Sequence, residues 1–215
     1  MSLHVSFYKP VDYFSGTFNR FAAWWTAGNY CHCELVVVTT PIDIMKAVKD
    51  IYNKALDGKY SPEDCQRIIS QIEISFFDTG FRKLAQSSDQ MTLSFSQIMG
   101  LHAGVRALTE TAHDSWFKIP TNGDENVVML PTYDVSPDDI HRTLTFAIES
   151  LGKEYDTTGA LCSWLPFHSN ERESNYESYF CSEFVVAAFQ RIGFMETLDA
   201  KRTTPNSLHN HLITS

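Results

Sequence analysis

Two short segments, far apart in the chain, carry side chains that could do covalent chemistry. In Tyr179-Phe180-Cys181-Ser182-Glu183-Phe184-Val185 a cysteine stands at the start of an apolar stretch that reads as a helix through Ile192, stopped by Gly193. The first turn of a helix has unpaired N–H groups and the positive end of the helix dipole, and both favour an anion. A thiol placed there gives up its proton early, and the thiolate is the nucleophile. The same N–H groups can bind the oxyanion formed when a thiolate attacks a carbonyl.

The second segment is Tyr30-Cys31-His32-Cys33-Glu34-Leu35-Val36. Read as a strand, it places His32 and Glu34 on one face and Cys31 and Cys33 on the other. A histidine on a rigid strand suits a general base if a thiol lies opposite it. A zinc site would need His32 to join Cys31 and Cys33, against the alternation, and Cys65, Cys162 and Cys181 add no C-x-x-C spacing. Each segment also has a plain reading alone: a buried structural cysteine, and a hydrogen-bonded core histidine.

The elements that must position these residues follow from periodicity and turn chemistry. Leu3 to Tyr8 alternates as a strand, Phe18 to Trp25 reads as a short helix, and Tyr30 to Thr39 is a strand whose apolar half implies burial on both faces. Residues 41–90 read as a helical insertion, with Ile44, Ala47, Val48, Ile51 and Ala55 at helical spacing and Ser61-Pro62 opening a second helix. Loop closure entropy alone would let this insertion be cut out between residues 45 and 88. Ile72 to Phe77 fits either a strand or a helix end. Leu93–Ser96, Trp116–Ile119 and Val127–Leu130 are short strand candidates. Ser136-Pro137 opens a helix ending at Gly152, a loop covers Ser169 to Ser178, and Thr204-Pro205 begins a last short helical turn. The order makes a single α+β domain over residues 1–215.

Composition narrows the function classes. The 215 residues carry a formal charge of −9 and no dense basic run, which argues against a nucleic-acid surface. No segment reaches the ~20 apolar residues of a membrane span, and the N-terminus does not read as a secretory signal. Five cysteines, an odd number, suit reduced thiols in a cytosol-like compartment. The 15 Phe, 9 Tyr and 4 Trp could line a pocket as well as a core. His102, His113, His141 and His168 read as solvated, His209 and His211 as incidental, and Asn122-Gly123-Asp124 as a turn rather than a calcium loop.

Together, His32–Val36 and Tyr179–Val185 resemble motifs of the circularly permuted NlpC-type papain-like superfamily, especially its YiiX-like branch and relatives encoded by large DNA viruses. In that branch the histidine strand comes first and the nucleophile late. Gly152-Lys153-Glu154-Tyr155-Asp156 is similar to the family's Gly-x-x-Tyr-Asp segment, and Thr204-Pro205-Asn206-Ser207-Leu208 to its Thr-Pro-x-x-Leu ending. Phe21 to Gly28, Ser94-Phe95-Ser96, Gly104-Val105-Arg106 and Trp116-Phe117 are weaker matches, and residues 41–90 have no counterpart.

The resemblance implies a papain-like fold, a central antiparallel sheet packed by helices. It also implies a thiol hydrolase or acyltransferase, with Cys181 as nucleophile, His32 as base, and Tyr155 near the nucleophile as a donor to the oxyanion. Amide, ester or thioester substrates follow, as peptides, cell-wall fragments or lipid acyl groups, with no metal or organic cofactor, in the cytoplasm or a virion. The family's third residue has no carboxylate or imidazole at its matching place, where Ser94, Ser96 and Gln97 stand. Glu34 shares the face of His32, but neighbours two apart on a strand point in parallel and are expected to meet poorly. The alternative is a catalytically weak or inactive relative that keeps the fold and binds a virion or host protein.

Overall fold

The computed structural model describes residues 1–10, 20, 28–97, 103–108, 127–132, 135–163 and 178–214, with the backbone alone at 106–108, 127–132 and 161. The expected helix at Phe18–Trp25 (residue 20 apart), the Trp116–Ile119 strand, the turn at Asn122 and the loop from Ser169 to 177 lie outside this set.

Four helices open on one two-residue signal, a hydroxyl residue followed by proline. They are α1 (Pro41–Leu56), α2 (Pro62–Phe76), α4 (Pro137–Glu149) and α7 (Pro205–Thr214). The hydroxyls of Thr40, Ser61, Ser136 and Thr204 accept from the N–H groups of Asp43, Asp64, Asp139 and Ser207 at 3.1–3.2 Å. Proline at the first helical position lacks only an N–H that would have gone unpaired. Between α2 and the sheet, α3 (Thr79–Ser87) starts on Asp78, whose carboxylate accepts from Gly80 and Phe81. Ile72 and Phe76 lie within α2, which settles that ambiguity as helix. The C-terminal segment forms ten residues of helix, longer than the single turn expected, because Leu208 carries its apolar face into the core.

The strands β1 (Ser2–Tyr8), β2 (His32–Thr39), β3 (Met91–Ser96), β4 (Gly104–Leu108) and β5 (Val127–Thr132) form one antiparallel sheet in the order β4-β3-β2-β1-β5. The molecule is thus α+β, with β2 the middle strand among the described residues. Leu35 lies opposite Val5 and Phe95, and Val37 opposite Leu3 and Leu93. Those side chains, all buried, form one face of the core. The other face of β2, carrying His32, Glu34 and Val36, is buried as well.

Residues 41–87 are not an appendage. Ile44, Ala47, Val48, Ile51, Ile68, Ile72, Phe76 and Phe81 belong to the same apolar cluster as Leu35, Phe95 and Phe184. Loop closure is therefore the wrong term to weigh: it grows by only about 0.6 kcal/mol per doubling of loop length, whereas each buried Ile or Val contributes about 1.5–3 kcal/mol. No helix among the described residues is long and apolar enough to cross a membrane.

Candidate active site

Three elements converge on the start of β2. The first is α6 (Cys181–Gln190), which packs against β2 and puts Cys181 at its first position. This helix departs from the capping rule of the others. Its N-cap is Phe180, which has no side-chain oxygen to give, so Phe180 caps none of the first-turn N–H groups. Glu183 instead accepts from the Phe180 N–H at 3.4 Å, and the Ser182 hydroxyl donates to the Thr203 carbonyl at 2.6 Å.

The second is a short parallel pair, β6 (Glu154–Tyr155) with β7 (Ser178–Tyr179), which sets Tyr155 beside Tyr179, two residues before Cys181. Gly152 makes the turn into β6 at φ +75°, a conformation that favours glycine. Asp156 then extends the pair, its N–H donating to the Tyr179 carbonyl at 3.0 Å, and caps α5 (Thr157–Cys162).

The third is α7, which fixes the entry to β2. The Asn206 carboxamide accepts from the Tyr30 N–H and donates to the Tyr30 carbonyl, each at 2.9 Å. Gly28 must be glycine for this clamp to close, since a Cβ there would sit 2.1 Å from the Asn206 side chain. His209 packs its ring, tilted, with the centroid 4.6 Å from that of Tyr30, and so is not incidental.

At this junction Cys181, at the first position of α6, stands with His32, Cys33 and Tyr155, near enough that each is shifted by it. The hydrogen bond from the Cys33 thiol lowers the pKa of Cys181 most. Burial opposes it, and the hydrogen bond and positive charge of His32 add to it; the net result is a thiol held well below its ordinary range. For His32, burial pulls the imidazole down, but bonding to Cys181 and Glu34 and their negative charges outweigh it and raise the group to about 9. The two shifts describe one state, a thiolate facing an imidazolium. Burial, the bond to Cys181 and nearby negative charge raise Cys33 well above its usual range, so it remains a neutral S–H donor. Burial and the Cys181 charge raise Tyr155 likewise.

Glu34 completes the constellation. Its Oε1 lies 3.4 Å from His32 Nε2, while its Oε2 accepts from the Tyr8 hydroxyl at 2.8 Å and from the Ser94 hydroxyl at 2.6 Å. The carboxylate is fully buried and held by strands on both sides, β1 through Tyr8 and β3 through Ser94. That cross-strand grip lets two residues of the same face meet despite their parallel orientation.

The structure thus brings together Cys181, His32, Glu34 and Tyr155, with Ser94 one step behind as a support of Glu34. Ser96 stands at the end of β3, partly exposed and opposite Gly104, and Gln97 is buried with a carboxamide that finds no hydrogen-bond partner among the described residues. The sequence alone gives Tyr8 and Cys33 no part in the site. Tyr8 could have been found from pairing β1 with β2, which sets it opposite His32. Alternation puts Cys33 on the face away from His32, yet with α6 packed on β2 both residues shift the Cys181 thiol. Cys31 turns aside and donates to the Tyr8 carbonyl at 3.4 Å. Cys65 and Cys162 lie apart, on α2 and α5.

No family model, curated protein or solved structure matches the chain.

Proposed function

We propose that this chain is a thiol hydrolase or acyltransferase of permuted papain-like architecture, acting on an amide, ester or thioester through an acyl group on Cys181. The single observation that carries this reading is the buried cluster at the uncapped start of α6, where Cys181 is coupled to His32 and the His32 Nε2 faces the Glu34 carboxylate. A structural cysteine needs none of these three features.

The chemistry follows from the donors. The Cys181 thiolate attacks the carbonyl carbon, and the first-turn N–H groups of α6 and the Tyr155 hydroxyl bind the oxygen as it takes up charge. One such donor is worth about 10²–10³ in rate. The His32 imidazolium gives its proton to the leaving nitrogen, oxygen or sulfur, and the tetrahedral centre collapses to the acyl-enzyme. Neutral His32 then takes a proton from water or an acceptor, which attacks the acyl carbon and releases Cys181. Glu34 stabilises the imidazolium form and sets its orientation. Peptides, cell-wall fragments and lipid acyl groups all present the required carbonyl.

A second reading, an interaction protein that keeps the site without turnover, is favoured by one fact: Cys181 is only 4 % exposed. An activated thioester or ester separates the two. The hydrolase reading expects a burst of leaving group matched by an acyl mass on the peptide holding Cys181. It expects no burst from Cys181→Ala, and a rate lower by roughly 10²–10⁴ in His32→Ala, the usual share of general acid–base catalysis. Absence of any acyl mass on Cys181 with amide, ester and thioester probes alike would favour the interaction protein.

A further inference from the structure

A fully buried carboxylate on the middle strand of a sheet needs a reason. An apolar side chain in the place of Glu34 would hold the strands together as well, since a buried ion pair seldom adds net stability. The surroundings of Glu34 point instead to its charge. Its Oε2 accepts from two hydroxyls, Tyr8 at 2.8 Å and Ser94 at 2.6 Å, while Oε1 faces His32 Nε2 at 3.4 Å.

Strand register explains how both hydroxyls reach one oxygen. Tyr8 lies opposite His32 on β1, and Ser94 lies opposite Val36 on β3, so they approach Glu34 on diagonals from opposite strands. Diagonal neighbours are ~7–8 Å apart, within reach of a long side chain. The Tyr8 backbone is itself fixed, its carbonyl accepting the Cys31 N–H at 2.9 Å. A carboxylate accepts both hydrogens on Oε2. A carboxylic acid protonated there would have to turn one hydroxyl round, and one protonated at Oε1 would set an O–H against the N–H of an imidazolium. The two donors therefore favour the charged form.

We propose that Tyr8 and Ser94 are positioning residues for the chemistry at Cys181: their hydroxyls occupy one oxygen of Glu34, hold it as a carboxylate despite burial, and turn its other oxygen to His32. This deepens the hydrolase reading and rests on His32 as its proton carrier. Among the described residues, the titratable groups about His32 are Glu34 on its own strand, Tyr8 on β1 and Cys181 on α6, with Cys33 and Tyr155 next to Cys181. With a hydroxyl removed, burial drives Glu34 toward its neutral form. His32 then loses negative charge that supports it, and its proton leaves at a pH below about 9. Tyr8→Phe keeps the ring that packs 5.5 Å from that of His32 and removes the hydroxyl alone.

The test follows His32 by NMR of the full chain, labelled in its imidazole rings, across pH. It compares wild type, Tyr8→Phe, Ser94→Ala, Glu34→Gln, and each hydroxyl variant combined with Glu34→Gln. Each hydroxyl variant should lower the His32 midpoint. Neither should lower it further once residue 34 is Gln, because changes that act through one shared group do not add. Turnover of an activated ester should show the same displacement of its alkaline limb, slowed by no more than the roughly tenfold expected for loss of Glu34. An unmoved midpoint in either folded variant would overturn the proposal. So would a drop that persists in the Glu34→Gln background, the mark of a merely structural role. If one hydroxyl variant does not fold, the other decides alone. The midpoint is read on resting protein and needs no turnover. A lowered midpoint without any acyl burst would therefore leave this inference standing and remove the hydrolase reading; a burst with an unmoved midpoint would do the reverse.

Discussion

At the scale of single residues, the account turns on a proton shared between Cys181 and His32. His32 is raised to about 9, so its imidazolium survives well past neutral pH and is lost as pH climbs through that value. Cys181 is lowered, so its thiolate is present from well below the ordinary thiol range. Turnover of an acyl probe should rise as pH passes the depressed Cys181 value and fall again near pH 9, when the proton for the leaving group is gone. Glu34→Gln removes one of the causes that raise His32, and its alkaline limb should move to lower pH. At 3.4 Å the Glu34 contact is a long one, so its loss should slow turnover only about tenfold, the low end for a charged hydrogen bond. An alkaline limb that stays in place would show that Glu34 does not set the charge on His32.

Cys181 and His32 were legible because their roles depend on local position, a helix start and a strand. On sequence alone Glu34 is expected to meet His32 poorly, which leaves Ser94, Ser96 and Gln97 at the place of the orienting group. What reverses this is not local: Tyr8 and Ser94 reach Glu34 from the two neighbouring strands, and strand pairing is invisible until register is known.

At the scale of elements, the Ser/Thr-Pro signal made α2, α4 and α7 readable from sequence, since a cap and its proline act within four residues. The same signal at Thr40-Pro41 was read only as the end of the strand, although it also opens α1. The role of α1 to α3 was less readable, because amphipathic spacing says that a helix has an apolar face but not what that face covers. Here it covers the sheet's core. Replacing residues 45–88 by a short Gly-Ser link should therefore give insoluble or unfolded protein, and Ile51→Ala alone should lower unfolding free energy by roughly 2–5 kcal/mol in denaturant titration. A soluble, cooperative domain from the shortened chain would contradict the packing described above. The Asn206 clamp on Tyr30 belongs to this scale too, joining the last helix to the strand that carries His32 across 176 residues.

At the scale of the whole molecule, the α+β class followed from element order, and the middle position of β2 explains why both of its faces are buried. The site forms where that strand begins, so sheet, α6, β6 and α7 all contribute to it, and no one segment could have announced it. The central claim is that Cys181 is a thiolate, held so by Cys33 and by His32 beside it as an imidazolium. Iodoacetamide labelling of Cys181 across pH, followed by mass spectrometry of its peptide, tests this most directly. The shape of the curve carries the test rather than the absolute rate, because the thiol is buried. The account predicts a midpoint far below the ordinary thiol value of about 8.5, and a return toward that value in His32→Ala. A wild-type midpoint at the ordinary value, unchanged when His32 is removed, would contradict it.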